Sequence, residues 1–230
     1  MILEKNQFNY YGRRICYRLS KAKLNVIKKI FPKVKLKNTD IKKFTKVNSR
    51  NNKKFILEVG FGMGDNLKYM IGNDKDSIFI GCEPFLNGIA NFLATLKERD
   101  QNRVKIFDKD VRILLSLLPK KFFSKIIILF PDPWTKRRHR KRRLFNKINI
   151  NLFLEALKKD GEIYFGTDVE DYFSEVKNFF LYNNKNYKIE NERNFHSLPD
   201  LLSETKYSKK SLKKTTIPKY LVIKKKVDIL

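Results

Sequence analysis

A doubly wound α/β sheet, mostly parallel with an antiparallel pair at one edge, is the architecture this sequence predicts. Three observations predict it. From Lys53 onward, short apolar runs alternate with amphipathic stretches of helical period, as in successive βαβ units. The first of these runs ends in a glycine-rich turn, LEVGFGMG, at the place where open α/β sheets hold ligands. The last two apolar runs are separated by a long polar segment with no crossover helix, so they pair antiparallel.

Residues 1–52 read as a basic, aromatic extension, and residues 53–230 as the sheet domain. The extension holds one helix, Cys16 to Ile30, ended by Pro32 because proline has no N–H to continue it, and then a lysine-rich connector. Strands follow at Phe55 to Val59, Ser77 to Cys82, Val104 to Phe107, Ile126 to Phe130 and Glu162 to Gly166, each a short apolar run of the kind buried on both faces. Helices fill the gaps at Asp65 to Ile71, Pro84 to Arg99, Val111 to Leu118, Asn146 to Lys158 and Glu170 to Asn183, with Pro84 suited to a first turn. Tyr187 to Glu190 and Lys219 to Lys225 supply the antiparallel edge. No internal repeat is present.

The chain of 230 residues is long enough for one well-buried domain, and no Pro/Gly/Ser-rich linker divides it. Its formal charge of +27 fits a polyanionic partner, because displaced counterions favour phosphate binding. Lysine is abundant throughout and reads as a solvated coat. Arginine is more informative: of 13 arginines, five (Arg137, Arg138, Arg140, Arg142 and Arg143) fall within seven residues. Cys16 and Cys82 are far apart and outside any CxxC pair, so neither a disulfide framework nor a thiolate zinc site is expected, and a reducing cytoplasm is. The amino terminus lacks the apolar core of a signal peptide, and no segment is long enough to span a bilayer.

The glycine turn points to a small ligand. Gly60, Gly62 and Gly64 leave room for close backbone approach, but Asp65 stands where the dinucleotide fingerprint needs its third glycine, which weakens a nicotinamide reading. Glu58, two residues before Gly60, sits in an otherwise apolar strand, and an ionised carboxylate there needs a cationic partner. That favours S-adenosylmethionine. Glu83 ends the second strand, 19 residues beyond Gly64, where an acid accepts two hydrogen bonds from a ribose diol. Asp110 follows the third strand and suits an adenine amino group, with Asp108 its rival and helix capping the structural alternative.

The densest chemistry lies in KIIILFPDPWTKRRHRKRR, Lys125 to Arg143. A core strand is stopped by PDP, which holds Asp132 at the mouth of the sheet, and seven cationic side chains occupy the eight positions from Lys136 to Arg143. Trp134 reads as capping the core, with stacking on an extruded base as the alternative. His139, among arginines, is a poor general base and suits contact with phosphate or backbone.

LEVGFGMG, IGCEPFLNGIA, FPDPWTKRRHRKRRL, GTDVEDY and SETKY, in that order, resemble the landmarks of the bacterial tRNA (guanine-N7-)-methyltransferases. The resemblance extends from Lys53 almost to the carboxyl terminus. It implies a Rossmann-like class I methyltransferase fold, S-adenosylmethionine as donor, and methylation at N7 of a guanine in the tRNA variable loop. Carried over by position, Glu58, Glu83, Asp110 and Asp132 look like cofactor contacts beside the glycine turn. Asp132 also takes the catalytic position, and Lys136, Asp168, Thr205, Lys206, Tyr207 and Ser208 look like substrate contacts. Ser208 departs from the acid common in the family there. The expectation for mechanism is that Asp132 accepts hydrogen bonds from the guanine N1–H and amino edge, with Asp168 sharing that edge. The partner implied is tRNA, without metal or membrane, and a monomer and a homodimer are equally compatible with the sequence. A methyltransferase of another RNA or protein, and an RNA-binding module with a vestigial cofactor site, are the competing classes.

Overall fold

The apolar runs of the second half of the chain form one sheet from β1 (Phe55–Val59), β2 (Ile78–Cys82), β3 (Val104–Phe107), β4 (Phe123–Leu129), β5 (Leu157–Thr167), β6 (Tyr187–Asn194) and β7 (Lys219–Lys225). The structure, a computed structural model, describes residues 11–12, 14, 18–51, 53–182, 186–194, 197–205, 208, 210–211 and 216–225. The strand order is β3-β2-β1-β4-β5-β7-β6, parallel from β3 to β5, with β7 antiparallel to both β5 and β6. The mostly parallel sheet with an antiparallel edge is therefore as the sequence predicts. Among the described residues no helix is long and apolar enough to cross a membrane.

The helices are α1 (Lys21–Val34), α2 (Asn38–Asn51), α3 (Asp65–Asn73), α4 (Leu86–Thr95), α5 (Val111–Leu117), α6 (Ile150–Ala156) and α7 (Glu170–Tyr182). Strand alternation sends side chains to opposite faces. Phe55, Leu57 and Val59 of β1 join a core with Leu114 of α5, Phe153 of α6 and Phe173 of α7. Ile56 joins the opposite core with Leu67 of α3 and Ile89 and Phe92 of α4. Glu58 shares the face of Ile56, so its carboxyl is directed toward α3.

Two expectations for the extension are corrected. Pro32 lies inside α1, because the helix has only its last turn left there and Lys35 N–H still closes it on Phe31 O at 2.7 Å. Ser20 caps the other end, accepting from Lys23 N–H at 3.3 Å, while Cys16, the predicted start, lies outside the described residues. The lysine-rich connector is largely helix α2. Its Phe44 is buried against the Phe55 ring, 5.2 Å between centroids, and Lys105 pairs with Asp40 at 3.1 Å, so packing rather than propensity holds it. Leu36 N–H also donates to Ile106 O at 2.8 Å, joining the extension to the β3 edge.

The helix predicted from Asn146 starts only at Ile150. Asn146 Oδ1 accepts from the N–H groups of Ile148 and Asn149, both at 2.9 Å, and its amide donates to Arg143 O at 2.6 Å, offering the backbone an alternative to the helix. That helix also stops early, at Ala156, because β5 begins at Leu157 and runs 11 residues, with a register break opposite Phe123 and Lys125.

Gly88 in α4 is where the helix meets the glycine turn: a Cβ there would stand 2.2 Å from Gly62 O. Gly88→Ala is expected to cost about 1–3 kcal/mol by forcing helix and turn apart. Gly72→Ala, with no atom within 4 Å of its Cβ, should be neutral or stabilising. Thermal unfolding of the two variants checks this, and a Gly88→Ala midpoint equal to wild type would refute the contact.

Candidate active site

The parallel strands deliver their carboxyl ends to one side, and there a cavity of about 630 Å³ opens, bordered by Gly60, Gly62, Glu83, Asp110, Asp132 and Trp134 among others. The turn after β1 needs its glycines: φ is 66° at Gly60, 54° at Gly62 and 84° at Gly64, all in the left-handed region that a side chain disfavours. Gly60 faces open space, with no heavy atom within 4 Å of a Cβ built on it, so its backbone is accessible from the cavity. A Cβ on Gly64 would instead strike Phe92 at 2.6 Å, so that glycine serves packing against α4.

Three of the four predicted acids share this hollow. Glu83 is 6% exposed and accepts from Gly62 N–H at 2.7 Å and Phe85 N–H at 2.8 Å, pinning the glycine turn to the end of β2. Burial pushes its carboxyl up to about 7, the two N–H donors pull it back, and Asp132 pushes it further. Asp110 caps α5, accepting from Arg112 N–H at 2.8 Å, and pairs with the Arg112 guanidinium at 2.7 Å. It is thus a helix cap and a cavity wall at once. Its rival Asp108 is turned away to Lys35 at 2.6 Å. Asp132 projects exposed at the rim, with partial desolvation raising its carboxyl above the ordinary value.

Glu58 stands behind the wall: Val59 and Gly60 border the cavity and Glu58 does not. It is 3% exposed, and Asn66 Nδ2 donates to its Oε1 at 3.2 Å while its buried Oε2 has no hydrogen-bond partner among the described residues. Burial raises its carboxyl to about 8, Asn66 lowers it, and Glu83 and Asp65 raise it further. An orphaned, buried carboxylate oxygen behind an open glycine fits a ligand that brings a cation.

The loop after β4 is held from inside. Phe130 and Trp134 flank PDP with φ of 49° and 41°, left-handed values that cost a non-glycine residue about 1–3 kcal/mol unless the surroundings impose them. Arg143 helps impose them: wholly buried, it donates to Pro133 O at 2.8 Å, pairs with Asp171 and Glu175 of α7, and lies 4.6 Å from the Tyr172 ring. Arg143 is therefore structural, which corrects its inclusion in a basic run gripping nucleic acid. Arg142 borders the cavity, with its guanidinium 4.7 Å from the Tyr11 ring and 5.1 Å from Trp134. Trp134 is a cavity wall rather than a core cap, a second correction, because its left-handed backbone turns it outward to Tyr11 and His139. Partial burial, then Arg142, Arg138 and Lys136, hold the His139 imidazole below its ordinary pKa.

The predicted substrate residues lie outside this cavity. Lys136 is exposed at the start of a short 3-10 turn, Arg137–Arg142. Asp168, just beyond β5, accepts from Ser211 Oγ at 2.7 Å. Thr205 and Ser208 close on each other, Ser208 Oγ accepting from Thr205 N–H at 2.8 Å and Thr205 Oγ1 from Ser208 N–H at 3.1 Å. Ser208 thus supplies the acceptor for Thr205 N–H at the position where an acid is common in the family. Lys206 and Tyr207 lie outside the described residues. Sequence reasoning missed Asn66, whose only signal is an amide in the first turn of the helix facing Glu58, and Tyr11, for which no sequence signal exists. Among the described residues no His/Cys/Asp/Glu cluster could hold a metal.

A family model described as "Putative methyltransferase" matches residues 52–218. The chain is 35% identical over 226 residues to a tRNA (guanine-N(7)-)-methyltransferase of Bartonella henselae, covering 94% of this chain and 95% of that one. It is 34% identical to a bifunctional methyltransferase of Rickettsia felis, where it spans 93% of its own length but 39% of the relative's. Among solved structures, a variant of the 16S rRNA (adenine(1408)-N(1))-methyltransferase of Catenulisporales acidiphilia with cosubstrate SAM is similar at a TM-score of 0.53 and 8% identity, covering 83% of this chain and 91% of that one. That likeness is one of fold.

The buried acids have a pH signature. With carboxyls raised from 4.5 to about 8 at Glu58 and about 7 at Glu83, the folded chain holds these protons more firmly than the unfolded chain. Their contribution to stability is full below pH 4.5 and is lost as pH rises through 7 to 8. The melting temperature of the ligand-free protein is expected to fall over that window, and Glu58→Gln to flatten the fall and melt a few degrees higher at pH 8.5. A variant with the wild-type pH profile would show that Glu58 is not the group responsible.

Proposed function

Because the chain belongs to the family of bacterial tRNA (guanine-N(7)-)-methyltransferases, we propose that it carries a methyl group from S-adenosylmethionine to N7 of a guanine in the variable loop of tRNA, leaving 7-methylguanosine. The observation that carries this function is the cavity at the strand ends, where Glu83 and the glycine turn face Asp132 and Trp134 across one hollow. S-adenosylmethionine supplies an electrophilic methyl on a sulfonium, so the chain has no electrophile to build. Glu58 would receive its amino group, Glu83 its ribose diol, and Asp110 its adenine amino group through lone pairs left over after Arg112 is bound. Gly60 and Gly62 let the backbone come close.

The nucleophile needs little help either. Guanine N7 bears an in-plane lone pair that is unprotonated near neutrality, so no general base is required. What remains is alignment, and holding two reactants in attack geometry is worth about 7–11 kcal/mol over free encounter. Asp132 is the residue for that task. Its carboxylate accepts hydrogen bonds from the N1–H and amino edge of guanine, which fixes the base and offsets the positive charge that appears on the ring as the methyl arrives. Adenine offers a different donor and acceptor pattern on that edge and would leave the carboxylate unpaired. Partial desolvation at the rim strengthens the interaction in the same direction.

Trp134 and Tyr11, with Arg142 between them, offer flat faces at the mouth of the cavity for a base leaving its stack. Lys136, Arg137 and Arg138 are exposed beside it and would contact the phosphate backbone, whereas Arg140 is paired with Asp171 at 2.9 Å and contributes less. A cytoplasmic location follows from the substrate.

Incubation with purified tRNA and labelled donor, followed by nucleoside analysis, is expected to yield 7-methylguanosine. Label in another nucleoside or in protein would replace the assignment. Asp132→Asn should lower turnover on the order of 100-fold or more with tRNA affinity nearly unchanged. Paired Arg137→Glu and Arg138→Glu changes should instead weaken tRNA binding and flatten its dependence on salt. An unaltered salt slope would place the nucleic-acid footprint elsewhere.

A further inference from the structure

Glu58 and the segment carrying Thr205 and Ser208 belong to opposite ends of the sequence, yet one side chain touches both. Asn66, in the first turn of α3 and 2% exposed, donates through Nδ2 to Glu58 Oε1 at 3.2 Å and accepts through Oδ1 from Ser203 N–H at 2.9 Å. An amide has distinct donor and acceptor ends, so one orientation of the group satisfies both bonds and its reverse satisfies neither. Both ends of this hydrogen-bonded relay are incomplete. Among the described residues, the buried side-chain atoms with no hydrogen-bond partner are Glu58 Oε2 and Ser203 Oγ, the two groups that flank Asn66.

The segment from Ser197 to Thr205 rests on α3 beyond this single bond. Leu202 is buried in the core that holds Leu67 and Met70 of α3, and Tyr69 Oη donates to Asp200 O at 3.3 Å. Thr205, two positions past Ser203, then closes on Ser208. Whatever sets the position of the Asn66 amide therefore sets where the substrate segment begins.

We infer that Asn66 is a positioning residue that couples the two substrates: the cation of the methyl donor, bound at Glu58, fixes the Asn66 amide, and the amide fixes the segment that meets tRNA. The inference rests on the function proposed above. A cation at Oε2 keeps Glu58 ionised, and a charged acceptor makes the Asn66 hydrogen bond shorter and about twice as strong as a neutral one. The oriented carbonyl then holds Ser203 N–H, which seats Thr205 and Ser208 for the nucleic acid. By reciprocity, tRNA bound to the segment tightens the donor site by the same factor.

The test is a binding cycle on the full chain with S-adenosylhomocysteine as the probe, measured calorimetrically with and without saturating tRNA transcript. In the wild type, tRNA should tighten probe binding about fivefold or more. Ser203→Pro removes the N–H that Asn66 accepts without touching Glu58. Probe affinity alone should stay within about twofold, and the gain from tRNA should vanish. Asn66→Ala should weaken the probe about tenfold and also abolish the gain, so a misfolded proline variant does not spare the idea. If the gain survives in Asn66→Ala, or is absent from a wild type that does form 7-methylguanosine, the coupling is wrong and the proposed function stands. If the wild type binds no probe and methylates no tRNA, the function falls and the coupling with it.

Discussion

A parallel sheet ends all of its strands on the same side, and this one constraint assembles the site. β1, β2, β3 and β4 terminate side by side, so residues separated by tens of positions, Gly60, Glu83, Asp110 and Asp132, come to border a single hollow. Each strand end is also fixed by backbone bonds to its neighbour, Gly60 N–H to Cys82 O at 2.7 Å and Glu83 N–H to Phe107 O at 3.0 Å. Glu83 and the glycine turn are thus held by the sheet's own hydrogen bonds, as a site that works by alignment requires.

The cost of this arrangement is electrostatic. Burial raises the carboxyls of Glu58 and Glu83, and a neighbouring acid adds to each rise, Glu83 to that of Glu58 and Asp132 to that of Glu83. Hydrophobic burial on both faces of the sheet carries that cost: Phe55, Leu57, Ile126, Ile127 and Ile128 are all within 1% of complete burial, each worth about 1.5–3 kcal/mol. The destabilised acids are the ones that a cationic, hydroxyl-rich ligand would satisfy. Stability and ligand affinity are set against each other at the same atoms.

The basic run shows how one charge cluster divides into different tasks. Arg143 turns inward, pairs with α7 and holds the left-handed loop that presents Asp132. Arg142 lies between two aromatic rings at the cavity mouth, and Arg140 pairs across to Asp171. Lys136, Arg137 and Arg138 remain exposed to solvent. The charge is the same in every case, and what differs is the partner each side chain reaches, whether a pair of carboxylates, two rings, one carboxylate or solvent.

Local pattern was enough to place the strands, to make the sheet parallel up to an antiparallel edge, and to mark the glycine turn and the acids at the strand ends. Those features depend on hydrophobic period and on residue types within a few positions of one another. Helix boundaries were less legible where long-range or side-chain bonds compete, as at Pro32, in α2, which leans on Phe55, and at Asn146, whose side chain takes the N–H groups a helix would use. Only the tertiary structure decided that Arg143 is buried, that Tyr11 reaches the cavity, and that Asn66, beside Glu58, meets Ser203 across 137 positions of sequence. Each of these is a contact between residues distant along the chain. Such a contact leaves no periodicity to read, because its partner is chosen by how the helices settle on the sheet.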